Sequence, residues 1–398
     1  MIKVNNKIII WGIDDFNTLG LLRQLGSFDL DLLFLIKGTR KFAVRSKYCR
    51  EYYLTNSLEE GYQYLLLNYS NLVCKPIIIV SGDDIITYVD KNRNELLKHF
   101  ILPGTANQGG IGKFIDKNTM TSFAEDCGIL CPKSKYVNKK SSVDDITYYP
   151  CIIKPSHERL GHYNEFKFKI CNNKRSLNRV LKFVNPESHF IVQQYIKKRF
   201  DVLVYGGRMF DGQTILAGAF IRDRWADSGS SSHGVITPDI PSCIDTNAIA
   251  KFLDEIEYFG LFSFEYGMVD NKAYFFEVNL RNDGTSHYFY QAGANIPLAY
   301  VMSCIGVDYS SINTKVKGTN YFIDELFDIE NVIKGRLGLR EYRNDKNAAT
   351  IFKYYDKDDL QPWRVVKKYR WIQVAQDFIL KYFRIYLILL FDKLGLRK

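Results

Sequence analysis

The chain has 398 residues, 46% hydrophobic and 25% charged, with a formal net charge of +10. These values describe an ordinary globular protein with room for two or three domains and exclude a disordered or low-complexity chain. Nine basic residues against two acidic ones place most of the excess charge in 361–398. The nearly balanced body argues against a nucleic-acid surface.

Lys7–Gly12 predicts a buried strand, followed by a helix over about Phe16–Gly26 and a second strand over Asp31–Ile36. Pro76–Val80 predicts another strand, running through Ser81-Gly-Asp-Asp84 into a helix that reaches about His99. Short apolar strands alternating with helices predict a parallel sheet. Its strand ends at Gly12–Asp15 and Ser81–Asp84 are where open α/β sheets bind ligands. No Gly-x-Gly-x-x-Gly lies there, so a dinucleotide site has little support. Pro103–Gly112 breaks any regular pattern and marks a domain boundary.

Tyr149–Pro155 is a short buried strand ending in Lys154. Phe190–Ile196 is apolar and β-rich, and Asp201–Tyr205 follows it. Ala217–Trp225 carries Arg222 and Arg224 at i, i+2, which would share a strand face and clamp a carboxylate. The competing reading is surface arginines flanking Asp223, and Arg222 is the better candidate of the two. Ser228–Gly234 is either a closing loop or a flexible connector.

Leu261–Met268 alternates, with Phe262, Phe264, Tyr266 and Met268 on a core face and Glu265 opposite. Val269–Lys272 supplies turn chemistry, so the next run forms a β-hairpin with it. In that run Phe276, Val278 and Leu280 point one way, and Glu277, Asn279 and Arg281 the other. The hairpin would bring Glu265 and Glu277 to one side of the sheet. A buried pair of carboxylates is costly without a cation, and hard oxygen ligands suit Mg²⁺. Arg281 would meet an anion held by that metal. Taken alone, the segment also reads as a solvated strand face. His287 lies in the helix start that follows and reads as packing.

In the tail, Phe378–Phe391 is aromatic and apolar, but its longest uncharged run, Ile385–Phe391, is too short to span a bilayer. Residues 375–398 would lie on an anionic membrane surface or dock on the protein's own domain, and both readings stay open. The eight cysteines show no Cys-x-x-Cys pair and read as reduced structural thiols in a chain without a signal peptide.

The order of these features, closing on Glu277-Val-Asn-Leu-Arg281, resembles the ATP-grasp superfamily. The resemblance covers about residues 1–310. It implies an α/β and α+β protein: a parallel pre-ATP-grasp domain over 1–112, then a two-lobed ATP-grasp fold over 113–310, divided at 189/190. Residues 311–398 would form a C-terminal extension with a basic amphipathic helix. The resemblance assigns Lys117 and Lys154 to the phosphates, Gln194 with the backbone of Tyr195 and Lys197 to adenine, and Asp201 to ribose. It gives Glu265, Glu277 and Asn279 to Mg²⁺ (two ions, with Mn²⁺ as an alternative), Arg281 to the γ-phosphate of ATP, and leaves Arg222 for the substrate. Two departures stand out. Gln194 replaces a common carboxylate, and the loop Ser156–His162 has a single glycine, with His157 or Arg159 as substitutes.

The layout is most similar to carboxylate–amine ligases of the D-aspartate ligase type, with a further likeness to carbamoyl-phosphate-synthase-like ATP-grasp proteins. That likeness implies a small carboxylate, such as an amino acid, activated as an acyl phosphate and joined to an amine acceptor. It further implies addition to a cell-surface polymer or its lipid-linked precursor, at the cytoplasmic face of the membrane. Carboxylation, phosphoryl transfer to another acceptor, and nucleotide binding without turnover are the alternatives.

Overall fold

The computed structural model describes residues 4–114, 116–156, 166, 168–226 and 229–372. Three sheets carry the architecture. The first is parallel, with β1 (Ile8–Gly12), β2 (Leu32–Lys37), β3 (Tyr52–Thr55) and β4 (Ile77–Ser81) in the order β3-β2-β1-β4. Unbroken apolar runs such as Ile-Ile-Ile-Trp in β1 and Ile-Ile-Ile-Val in β4 are buried throughout. Such runs suit strands covered on both faces.

Helix α1 (Phe16–Gly26) leaves β1 through Asp15, whose side chain accepts from the amides of Asn17 and Thr18 as an N-cap. Helix α2 is Leu58–Tyr69. Helix α3 (Asp83–Lys91) follows β4, with Gly82 at its N-cap and no side chain capping it. The single helix expected to His99 is two: Asn92, at φ −106° and ψ 18°, breaks it, and α4 spans Arg93–His99. The buried Arg93 donates to Pro103 O at 2.8 Å, tying the second piece to the chain leaving the sheet.

The second sheet joins β5 (Ser134–Asn138), β6 (Cys151–Pro155), β7 (Lys169–Cys171) and β8 (His189–Gln194) in the order β5-β8-β6-β7, all antiparallel. It has a core of its own, built from residues such as Val137, Ile153, Leu181 and Val192. The third and largest sheet contains β9 (Phe200–Arg208), β10 (Thr214–Trp225), β11 (Ser231–Thr237), β12 (Gly260–Val269), β13 (Lys272–Asn279), β14 (Asn320–Ile323) and β15 (Ile351–Phe352). Its order is β13-β12-β9-β10-β11-β14-β15, so residues beyond 310 extend this sheet. Two apolar clusters run without interruption from the first sheet into the third. One joins Trp11 and Val80 to Phe264 and Phe275, the other Ile10 and Phe34 to Tyr205 and Phe322. The first and third sheets therefore hold each other, while the second is packed around itself.

After β15 the chain returns to α1. Asp359 accepts from Arg23 Nε (3.0 Å), Ser46 Oγ (2.7 Å) and the Lys47 amide (3.0 Å). Beside it, Glu325 accepts from the amides of Lys353, Tyr354 and Tyr355. Burial, aided by the neighbouring Asp324, pushes the Glu325 carboxyl up to about 7. It holds its proton more tightly folded than unfolded, so its contribution is full below about pH 4.5 and is lost as pH rises through about 7. The melting temperature should therefore fall between pH 5 and pH 8, and fall less in Glu325→Gln, as calorimetry across that range would show.

All eight cysteines are unpaired. Among the described residues no helix is long and apolar enough to cross a membrane. The basic tail 375–398 and the loop positions His157 and Arg159 lie outside the described residues.

Candidate active site

Strand alternation builds the site. Along β12, Phe262, Phe264, Tyr266 and Met268 enter the core, which turns Ser263 and Glu265 to the other face. Glu265 stands directly opposite Glu277 on β13, and Ser263 opposite Asn279. The register then slips, because Tyr266 pairs with Phe275 and leaves Phe276 as the extra residue of a bulge. This corrects the face expected for Phe276. Val278 and Leu280 do pack on the core with Phe275, but Phe276 lies against Gly267 with Lys198 Nζ 5.6 Å from its ring. A Cβ on Gly267 would meet that ring at 2.3 Å, so any side chain there would displace Phe276.

Glu277 is half-buried, and desolvation together with Glu265 pushes its carboxyl up to about 7. The fields of Lys117, Arg222 and Lys154 reach it and partly offset that rise. Lys117 opens the helix Lys117–Asp126, Lys154 sits on β6 and Arg222 on β10, so three separate elements bring cations to one carboxylate pair. Arg222 Nη2 donates to Glu265 Oε2 at 2.6 Å and stands 3.8 Å from Asp201 Oδ2. Asp201 is 3% exposed, and its Oδ2 accepts from Lys198 at 2.5 Å while Oδ1 has no partner. A buried oxygen left without a donor is a place for a ligand hydroxyl.

Lys154 Nζ donates to Gln193 Oε1 at 3.1 Å. Lys154 pairs with Ile191 and Ile152 with Gln193, so Lys154 and Gln193 share a face and Gln194 turns to the other. The Gln194 amide donates to Lys133 O and the Tyr195 amide to Pro150 O, so neither N–H is available to an adenine ring. Lys197 is exposed. Sequence reasoning passed over Gln193, Lys198 and Asp283; the first is found only through the register between β6 and β8.

Asn279 Nδ2 donates to Ser263 Oγ at 3.2 Å and its Oδ1 accepts from Arg281 at 3.0 Å. Asp283 accepts from Ser263 Oγ at 3.1 Å, and from the Thr285 amide and hydroxyl, joining this cluster to the next turn. Arg281 forks onto Asp83 at the start of α3 (2.6 and 3.2 Å) and donates to Asn282 O. Arg224 does not share the role expected for Arg222. A shift in β10 pairing separates the two, and Arg224 binds the buried Asp328 bidentately (2.7 and 2.9 Å) and Asp345 at 2.7 Å. That network anchors the C-terminal segment.

Two carboxylates and an amide oxygen form a hard-oxygen donor set of the kind that holds Mg²⁺ with a polyphosphate. The high proton affinity of Glu277, caused by burial and by Glu265, fits it, because a divalent cation would offset both. Among the described residues no group of three or more His, Cys, Asp or Glu side chains is placed to hold a metal.

Beside this cluster a cavity of about 290 Å³ opens between the first sheet and the turn after β13. Its lining includes Asp15, Phe16, Ser81, Asp84, Arg281 and Asp283. Strand order explains its place: β2 and β3 lie on one side of β1 and β4 on the other, so the crevice sits where the winding of the sheet reverses.

No family model matches the chain, and no curated protein matches it by sequence. Solved structures do match. N5-carboxyaminoimidazole synthetase from Staphylococcus aureus, complexed with ADP, superposes with TM-score 0.63 at 16% identity, over 84% of this chain and 87% of that one. L-amino acid ligase from Bacillus licheniformis gives 0.61 at 11% identity, over 80% of each. N5-carboxyaminoimidazole synthase from Aspergillus clavatus, in complex with ADP and 5-aminoimidazole ribonucleotide, gives 0.61 at 10%, over 79% and 81%. The chain has the ATP-grasp fold expected from its motif order, with an N-terminal parallel α/β sheet.

Proposed function

We propose that the protein is an ATP-dependent ligase that joins a small carboxylate to an amine through an acyl phosphate, releasing ADP and phosphate. One observation carries this reading: Glu265 and Glu277, opposed on a hairpin, receive Lys117, Lys154 and Arg222 from three other elements beside a cavity at the sheet's reversal point. The fold is shared with an ADP-bound synthetase and an amino acid ligase, which supports it.

Carboxylate and phosphate are both anions, so the site must supply positive charge and exclude water. Lys117 and Lys154 bind and orient the α- and β-phosphates, and Asp201 takes the ribose with its unpartnered oxygen. The carbonyl of Tyr195 and the backbone of Lys197 frame the adenine, without the Gln194 side chain, which turns to the face opposite Lys154. Glu265, Glu277 and Asn279 would hold Mg²⁺, which would supply positive charge to the transferring phosphoryl group. Arg281 stabilises the γ-phosphoryl oxygens once it exchanges the exposed Asp83 for them. Arg222 orients the attacking carboxylate. The carboxylate oxygen bonds to γ-phosphorus as ADP leaves. The neutral amine nitrogen then bonds to the acyl carbon as the C–O bond to phosphate breaks, and the proton lost from nitrogen leaves with the phosphate.

Hydroxylamine trapping with Mg·ATP across amino acids and small carboxylates tests the reading. Hydroxamate with one acid supports it and names the activated substrate. ATP turnover that depends on bicarbonate and yields no hydroxamate would replace it with carboxylation.

The basic segment 375–398 is read as resting on an anionic membrane surface, which would bring the ligase to a lipid-linked acceptor at the cytoplasmic face. Deleting 375–398 should abolish sedimentation with phosphatidylserine vesicles. Equal sedimentation of both forms would refute it.

A further inference from the structure

We infer that the cavity between β1, β4 and the turn after β13 receives the amine acceptor in its cationic form, with Asp15 and Ser81 taking its ammonium group. One proton passes from that group to the Asp15 carboxylate before the nitrogen attacks the acyl carbon. The word acceptor rests on the ligase reading; the preference for a cation rests on the cavity itself.

Three carboxylates and one guanidinium line the space: Asp15, Asp84, Asp283 and Arg281. Two of these charges are already matched. Arg281 is forked onto Asp83, and Asp84 pairs with Lys37 from the end of β2. Asp15 and Asp283 remain. Asp283 spends both oxygens on Ser263, Asn279 and Thr285. Asp15 does not: its Oδ1 takes every bond of the α1 cap, so among the described residues Oδ2 has no partner. Burial raises the proton affinity of Asp15. Lys41 is the basic group whose field reaches it, but that side chain is exposed and forms no ion pair with it among the described residues.

Ser81 supplies an independent observation. It is 2% exposed, lines the same cavity, and its Oγ has no hydrogen-bond partner. A buried hydroxyl without a partner is normally satisfied by a ligand or water. Close backbone packing holds it in place, since a Cβ on Gly12 would meet that Oγ at 2.2 Å. An ammonium group is a donor only, and an anionic oxygen with a hydroxyl oxygen is an acceptor pair for it. A phosphorylated acceptor would instead bring two negative charges toward the unmatched Asp15. The cavity therefore selects by charge, against anionic acceptors.

The test is direct binding to the full chain with Mg·ADP, read by ligand-observed NMR, using two probes with the same two-carbon amine: ethanolamine and O-phosphoethanolamine. Ethanolamine should bind saturably and at least ten-fold more tightly than O-phosphoethanolamine. Asp15→Asn should weaken ethanolamine binding by about ten-fold or more. Asn is as good an N-cap as Asp, so α1 keeps its start and the melting temperature should hold. Ser81→Ala should weaken ethanolamine in the same direction. Equal binding of the two probes, no saturable binding of either, or an unchanged affinity in a folded Asp15→Asn protein would overturn the inference. Failure here with successful hydroxamate formation removes only the cation preference. Cation binding without hydroxamate removes the ligase reading and leaves the site.

Discussion

Glu277→Gln is expected to lower ADP formation by roughly 10²–10³-fold, on the scale of deleting one electrostatic stabiliser of a transition state. The same substitution should leave the protein at least as stable at pH 8. Glu277 faces Glu265 across the hairpin, and burial beside that second carboxylate pushes it up to about 7. Such a group favours the folded state below about pH 4.5 and opposes it, relative to that, once pH passes about 7. A neutral amide of the same shape removes the repulsion and keeps the packing. The pairing of lost turnover with an equal or higher melting temperature distinguishes a site carboxylate from a structural one. Turnover within three-fold of wild type would sink the assignment; a lower melting temperature at pH 8 would sink the electrostatic account of Glu277.

Asp359→Ala is expected to destabilise the protein by about 3–5 kcal/mol, because it strands a buried guanidinium. Arg23 is 1% exposed and Asp359 2%. Arg23 Nε bonds Asp359 Oδ2 at 3.0 Å, its Nη2 reaches the carbonyls of Tyr354 and Asp359, and Asp356 stands 3.8 Å away. Removing the Asp359 carboxylate also strips Ser46 and the Lys47 amide of their acceptor. Denaturant unfolding at constant pH measures the loss. A change below 1 kcal/mol would mean that the C-terminal segment is held without this pair.

The hairpin was legible because the alternation of Phe262, Phe264, Tyr266 and Met268 leaves one orientation for Glu265, and a short turn then leaves one partner strand for it. The parallel sheet was legible because continuous isoleucine runs bounded by turn residues have few other uses. The bulge at Phe276 was not, since a one-residue slip leaves the local pattern of Tyr-Phe-Phe-Glu unchanged and only the partner strand reveals it. Two-residue spacing puts Arg222 and Arg224 on one predicted strand face, with Arg222 the better site candidate. They part because β10 pairs irregularly with β11, and because Asp328 and Asp345, more than a hundred positions downstream, capture one of them.

By itself, then, the chain's local periodicity determined the β12–β13 hairpin and the opposition of two carboxylates, because side-chain direction along a strand follows a period of two. Residues 231–234, in the stretch read as a loop, instead open strand β11. The tertiary structure alone decided which charges meet. Arg281 finds Asp83 198 positions away, Arg23 finds Asp359 across 336, and the cavity exists only where β1 and β4 are brought side by side. Ion pairs and cavities between distant segments carry no period, so they are set by how the sheets pack against one another.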